Sequence, residues 1–308
     1  MPPAYRVIKS TVSECGTHKL LLDLDASSTS SNHEVETVII PQASFSTLCV
    51  SSQVGCRQAC SFCATGTMGL LHSLGPEDIL AQLHAASACV REAGLPPIRN
   101  VVYMGMGEPA DNLKAVRRAL GSMVDPFGFK LAKQHICVST VGPSPAAIRA
   151  LAPLPCRLAW SVHAADDELR RLLVPTTRHP MAALRDAWGE TLTARNDRGL
   201  MAEVTLIDGV NDGLQAADEL HDLLRPLPGK TRVNLIPYNA NAGLGAAGRL
   251  FAPSPMPAVR AFQRRLIDAG LICTVRTTRG GDEASACGQL RVAHGRAQGQ
   301  AQRGGARP

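Results

Sequence analysis

Cys56, Cys60 and Cys63 are three sulfur ligands set within eight residues, in Gly55-Cys56-Arg57-Gln58-Ala59-Cys60-Ser61-Phe62-Cys63-Ala64-Thr65-Gly66. Thiolates bind zinc and iron-sulfur clusters alike. A structural zinc site normally shows a fourth Cys or His close by, which this loop lacks. Three ligands leave a metal position open, and an open position signals chemistry. Two further cysteines need their own account. Cys287 lies in the polar run Gly281-Asp282-Glu283-Ala284-Ser285-Ala286-Cys287-Gly288, where a buried structural thiol is not expected. Cys49 stands seven residues before Cys56 in the apolar run Leu48-Cys49-Val50, where plain core packing competes with a thiol at the mouth of the same site. Of the ten cysteines, Cys15, Cys89, Cys137, Cys156 and Cys273 are scattered and read as buried small hydrophobes.

The elements around these thiols must hold them at one place. From residue 47 onward β-rich runs alternate with helical segments, the pattern of parallel βαβ units. Strands are expected over 47–52, 99–106, 134–140, 157–162, 200–206 and 232–238, with a seventh run over 271–278. Helix ends are marked by Pro76-Glu77-Asp78, by Asp166-Asp167-Glu168, and by Gly270 closing a helix begun near Pro257. A parallel sheet with helical crossovers gathers its chemistry at the carboxyl ends of the strands. The polar motifs obey that rule: Gly107-Glu108-Pro109, Ser139-Thr140, Ser161-Val162-His163 and Asn239 each follow or end a strand. Residues 1–43 alternate as short strands and form a small β appendage.

In this setting the cysteine spacing resembles that of the radical S-adenosylmethionine (SAM) enzymes, and the chain resembles one branch of them, the RlmN/Cfr family of RNA adenine methyltransferases. The resemblance runs from about Tyr5 to Leu290. It is carried by Leu48-Cys49-Val50-Ser51-Ser52-Gln53-Val54-Gly55-Cys56, Met104-Gly105-Met106-Gly107-Glu108-Pro109, Ser161-Val162-His163-Ala164, Gly209-Val210-Asn211-Asp212, Asn234-Leu235-Ile236-Pro237-Tyr238-Asn239 and Ala286-Cys287-Gly288-Gln289-Leu290. It implies a partial (β/α)6 radical SAM barrel over 44–290, with Cys56, Cys60 and Cys63 holding a [4Fe-4S] cluster. It places Gly107, Glu108, Ser139, Ser161, Val162, His163 and Asn239 around SAM. Taken without the resemblance, the Gly-Glu-Pro motif reads equally as a cap, and His163 as a satisfied structural group.

The resemblance further implies that Cys287 carries the transferred methyl group, and that Cys49 frees the product by forming a disulfide with Cys287. Glu36, in Val35-Glu36-Thr37-Val38, matches an acid that handles protons, where an exposed strand Glu is the plain alternative. An adenine ring carbon is electron-poor, so an electrophilic methyl cannot be delivered to it directly and a radical route is needed. The implied substrate is an adenine of ribosomal or transfer RNA, at carbon 2 or carbon 8. The implied electron donor is a flavodoxin or ferredoxin. Family members carry a helical accessory domain before the segment that begins here near Tyr5, and that domain helps to hold RNA. The rival readings are a noncatalytic RNA-binding paralogue and a radical SAM enzyme acting on something other than RNA.

Length and charge agree with this reading. With 308 residues, 45% hydrophobic and 19% charged, the chain has the composition of a globular protein. No apolar run of about 18 residues is present to span a bilayer, and the expectation is a cytoplasmic monomer. Formal charge is +6. Most of the excess sits in 291–308, where Arg291, Arg296, Arg303 and Arg307 stand among Gly, Gln and Ala with no acid. That composition predicts a disordered tail, either a solvated terminus or an arm for RNA. Aromatic residues are 4%, too few for a binder built on base-stacking platforms.

Overall fold

One ten-stranded sheet organises the chain in the computed structural model, which describes residues 5–25, 33–196, 199–239 and 251–276. Strands β1 (Arg6–Val12), β2 (His18–Asp23), β3 (Glu34–Pro41) and β4 (Ser46–Cys49) pair antiparallel in that order, so the N-terminal appendage is continuous with the rest. A separate two-stranded ribbon, β5 (Gln53–Gly55) with β6 (Leu70–Ser73), brackets the cysteine loop. From β4 the main sheet runs parallel through β7 (Ile98–Tyr103), β8 (Ile136–Thr140), β9 (Arg157–Ser161), β10 (Met201–Leu206), β11 (Arg232–Pro237) and β12 (Ile272–Val275). Six parallel strands with a seventh at the edge make the partial barrel expected.

The crossover helices are α1 (Pro76–Glu92), α2 (Leu113–Val124), α3 (Pro145–Arg149), α4 (Asp167–Leu173), α5 (Met181–Arg195), α6 (Leu214–Leu224) and α7 (Met256–Asp268). Their starts follow the local signals. Asp78 accepts from the Gly75 N–H at 2.8 Å, and Asp166 accepts from Glu168 and Leu169 at 3.0 and 2.8 Å. These bonds satisfy N–H groups that a helix start leaves over. In α2 the buried residues Ala115, Val116, Ala119, Leu120 and Met123 recur at helical spacing and form one apolar stripe. Such stripes cover the outer face of the sheet, where Leu48, Val101, Val138, Trp160, Val204 and Leu235 are all buried.

Two strands stop earlier than the apolar pattern suggests: β4 ends at Cys49 rather than 52 and β7 at Tyr103 rather than 106. Beyond those points the backbone turns to other partners. Ser51 N–H donates to Gln82 Oε1 at 2.8 Å, Gly105 N–H to Val50 at 3.1 Å and Ser52 N–H to Met106 at 2.8 Å. The two chain ends fold over each other and carry their motifs out of the ladder. Of the scattered cysteines, Cys156 and Cys273 are buried as expected, but Cys89 and Cys137 are only half-buried and Cys15 is exposed. Cys15 sits in the β1–β2 turn with its sulfur near the Ser13 and Thr17 hydroxyls, a polar setting that the scattered spacing did not betray. The segment 291–308 and Cys287 lie outside the described residues.

Candidate active site

The cysteine loop leaves β5 at the carboxyl end of the barrel and is pinned on both sides. Ser61 N–H donates to Leu173 O at 3.0 Å, and the Thr176 hydroxyl donates to Gln58 O at 3.3 Å, tying the loop to the end of α4. On the other side Asp111 accepts from Arg57 Nε and Nη2 at 2.9 and 2.8 Å and from Gln58 Nε2 at 2.7 Å. Ala59 is held at φ 51°. This left-handed conformation costs a residue with a Cβ and persists only where neighbours enforce it. A Cβ at Gly66 would lie 2.8 Å from Cys60 O, so only glycine lets the chain close behind the loop.

Burial pushes the Cys56 thiol up to about 12, with the nearby Cys63, Glu108 and Asp111 charges adding to it. Burial, then Cys63, raises Cys60 as well, while Arg170 pulls it back. The three thiols therefore lie within electrostatic reach of one another in a desolvated pocket. Among the described residues no three Cys, His, Asp or Glu side chains converge on a point that one ion could occupy. A cubane offers each of the three thiolates a different iron and leaves a fourth iron open.

Glu108 is buried beside this loop. Its Oε1 accepts from Ala110 N–H and its Oε2 from Val141 N–H, each at 2.9 Å, and the Thr140 hydroxyl bonds to it too. The carboxylate thus does cap the turn that follows, the reading that the motif alone left open, and with three donors on its two oxygens it keeps room for one more. Burial lifts its pKa to about 7 against the pull of these donors. Gly107 has φ 95°, and a Cβ there would stand 2.6 Å from Gln53 Cβ. Gln53 Oε1 accepts from Glu108 N–H at 2.9 Å, while Asn112 Nδ2 bridges Ser52 O and Leu74 O at 2.8 Å each.

The next strand ends meet the same mouth. Ser139 and Ser161 hydroxyls touch at 2.9 Å. His163, at φ 57°, accepts from Thr205 N–H at 3.2 Å through Nδ1. That bond puts the proton of the neutral ring on Nε2. Burial, then the neighbouring Arg170 charge, holds its pKa well below the ordinary histidine value. Its ring meets Phe62 of the cysteine loop edge-on at 4.7 Å, and Asn211 Nδ2 holds its carbonyl at 2.7 Å. Val162 offers only backbone: its side chain is core, its N–H donates to Glu203 O at 2.9 Å, and its carbonyl accepts from Arg170. Asn239 follows β11, half-buried.

Cys49 and Glu36 lie on the inner face of the sheet. Val38 pairs with Cys49 and Cys49 with Val102, so these point to one side, and Glu36, two residues before Val38, points there too. Leu48, the neighbour of Cys49, packs into the outer core while Cys49 does not. Glu36 is buried rather than exposed and pairs with the equally buried Lys19 at 3.1 Å. Ser51 Oγ donates to Glu36 O at 2.8 Å and accepts from Met106 N–H at 3.0 Å, linking Glu36 to the motif that leads to Gly107. The sequence reading missed Lys19, Gln53, Asp111, Arg170 and Asn211. Only Asn211, within Gly209-Val210-Asn211-Asp212, and Gln53, within the run that ends at Cys56, lay in stretches already singled out.

Residues 50–220 match the model of the radical SAM superfamily. A relative from Anaeromyxobacter sp., named dual-specificity RNA methyltransferase RlmN, is 42% identical over 261 residues, covering 83% of this chain and 67% of its own. The chain belongs to the RlmN family of radical SAM methyltransferases. An RlmN of Dinoroseobacter shibae is 39% identical over 94% of this chain and 73% of its own length. A radical SAM methyltransferase of Sphaerobacter thermophilus superposes with a TM-score of 0.85 at 37% identity, covering 95% of this chain and 82% of that one. RlmN-family enzymes work with a [4Fe-4S] cluster and SAM, and the site fits both. Three thiols spread over a pinned loop suit the cluster, and buried carboxylate, hydroxyl and backbone groups at the strand ends suit a zwitterionic ligand beside it.

Proposed function

We propose that the protein methylates an adenine ring carbon of ribosomal or transfer RNA through a methylated cysteine, with Cys56, Cys60 and Cys63 as cluster ligands. Bound at this mouth, the cluster and SAM supply the methyl group and the radical reactivity that an electron-poor ring carbon demands. Gly107 gives close backbone approach to the SAM amino group and Glu108 accepts from it. Ser139, Ser161, Val162, His163 and Asn239 complete the SAM pocket. Cys287 takes the methyl group on its sulfur in place of the thiol proton; that methyl would give up one hydrogen atom to the SAM-derived radical, bond the adenine carbon, and leave a carbon-sulfur bond between protein and product, the odd electron of the adduct passing back to the cofactor. Glu36 removes the proton that must leave the methylated carbon. Cys49, as its thiolate, then attacks the Cys287 sulfur: a sulfur-sulfur bond forms as the carbon-sulfur bond breaks, and the product carbon leaves with the electron pair and takes up a proton to become the methyl group. A flavodoxin or ferredoxin delivers single electrons, the chain acts as a monomer, and the Arg-rich 291–308 contributes phosphate contacts. None of the described helices is long and apolar enough to cross a membrane.

The observation that carries this reading is the position of Cys49. Strand alternation turns Cys49 away from Leu48 and the outer core. Instead it shares the inner face with the buried Glu36, at the end of the strand that leads to the cluster loop. The test separates the two thiols. Cys49→Ala keeps the carrier and loses the thiol that releases product, so a chain cross-linked to labelled RNA should accumulate on denaturing gels. Cys287→Ala should form no such band. Normal turnover by Cys49→Ala would return Cys49 to packing and end the two-thiol reading.

A further inference from the structure

Arg170 is a buried cation for which the described protein supplies no contacting anion. It stands in α4 at 1% exposure. Nη1 donates to Ser161 O at 2.8 Å and to Val162 O, and Nη2 donates to Val141 O at 2.6 Å. All three acceptors are neutral carbonyls at the ends of β8 and β9, and Nε has no partner among the described residues. Glu108 acts on it at a distance, its own oxygens being taken up by backbone N–H groups. Burial draws the guanidinium down to about 10, which leaves it charged at neutral pH. A buried charge without a counterion is costly, and nothing in tying strand ends together requires a full charge.

The missing anion has a place. The cysteine loop hydrogen-bonds to Leu173 three residues further along α4, and Cys60 and Phe62 pack against the buried cluster to which Leu173, Val174 and Val141 belong. Three thiolates bring more negative charge than an oxidised cubane core brings positive, and reduction adds one electron more. We propose that Arg170 is the fixed countercharge of the cluster and favours its reduced state. The inference rests on the assignment of Cys56, Cys60 and Cys63 as the cluster ligands. Because the cation interacts more strongly with the more negative oxidation state, it raises the reduction potential. The electron comes from any low-potential one-electron reductant, and Arg170 itself neither gains nor loses electrons or protons.

The experiment is an EPR-monitored redox titration of the anaerobically reconstituted full chain. It compares the parent with Arg170→Gln and Arg170→Met, which lose the charge, and Arg170→Lys, which keeps it. Iron and sulfide content and the unfolding temperature of each apo form are measured alongside. All three variants lose the forked contact to the carbonyls and should unfold earlier. The neutral variants alone should titrate at more negative potential. At the parent's midpoint their reduced-to-oxidised ratio should fall about tenfold, equivalent to about 59 mV for a one-electron couple, with Arg170→Lys staying near the parent. Arg170→Gln retains side-chain donors and carries the test if the Met variant does not fold. A fully loaded neutral variant that titrates with the parent would overturn the inference, as would a Lys variant shifted as far as Gln. Failure of the parent to hold iron at all would instead overturn the ligand assignment beneath it.

Discussion

The two faces of the main sheet are made from alternate residues of the same strands, yet they obey different rules. On the outer face Leu48, Val101, Val138, Trp160, Val204 and Leu235 are sealed under helices. On the inner face the alternating partners are Cys49, Val102, Ser139, Ser161, Glu203 and Asn234, joined by contacts such as Ser139–Ser161 and Asn234–Glu203. The outer face supplies stability through apolar burial, and the Trp160 indole N–H within it donates to Val141 O at 3.2 Å. Its inner counterpart keeps polar and ionisable groups at a cost to stability, because they have to meet ligands at the mouth. Residues that look alike in sequence, such as Cys49 and Cys273, part company on this basis: Cys273 belongs to the outer core and Cys49 does not.

Substitutions on the two faces should separate stability from chemistry. The largest effect is expected from Cys60→Ala, which should abolish iron retention and SAM cleavage, since two thiolates do not hold the cubane. Its apo form should unfold close to the parent apo form, and a collapse of the apo fold would mean that the loop belongs to the core. Trp160→Ala, on the outer face, should cost about 3–5 kcal/mol in denaturant unfolding, whereas Ser161→Ala beside it should cost under about 1.5 kcal/mol and weaken SAM binding. Equal losses of stability at 160 and 161 would break the contrast between faces. Lys19→Met removes the buried cation paired with Glu36 and should destabilise by about 3 kcal/mol, while adding Glu36→Leu should recover part of that loss.

The smallest effect is a pH dependence at Glu203. Burial raises its pKa above the ordinary carboxylate value, outweighing Arg276 and Asn234, which pull it down. The folded state therefore holds a proton that the unfolded state has released, so the stability it contributes is present below the ordinary value and lost as pH rises through the folded one. Glu203→Gln should flatten that part of the stability-pH curve and leave the acid side unchanged. An unaltered curve would show that the inner face at β10 is better solvated than its burial suggests.

The fold was legible because the outer face obeys local rules. Alternating runs marked β4 and β7 to β12, and acids at Asp78 and Asp166 marked helix starts. The cysteine loop was legible too, since Cys56, Cys60 and Cys63 are neighbours in sequence. What escaped were residues whose role exists only in three dimensions. Lys19 meets Glu36 across a register no periodicity reveals, and Asp111 grips Arg57 across 54 positions. Nothing in the local sequence sets Arg170 apart from its neighbour Arg171, and only the fold brings its guanidinium under the strand ends. The early ends of β4 and β7 had the same origin: Gln82 on α1 takes Ser51 out of the ladder from 31 residues away.

The central claim, that this inner face and its cysteine loop form an RNA-methylating radical centre, is tested most directly on the product. Anaerobically reconstituted protein is incubated with RNA, SAM bearing a labelled methyl group and a low-potential reductant, and the RNA is digested to nucleosides for mass analysis. The account predicts methyladenosine labelled at carbon 2 or carbon 8, formed only when iron, SAM and reductant are all present. Stoichiometric zinc in place of iron, or label confined to ring or exocyclic nitrogen, would contradict it.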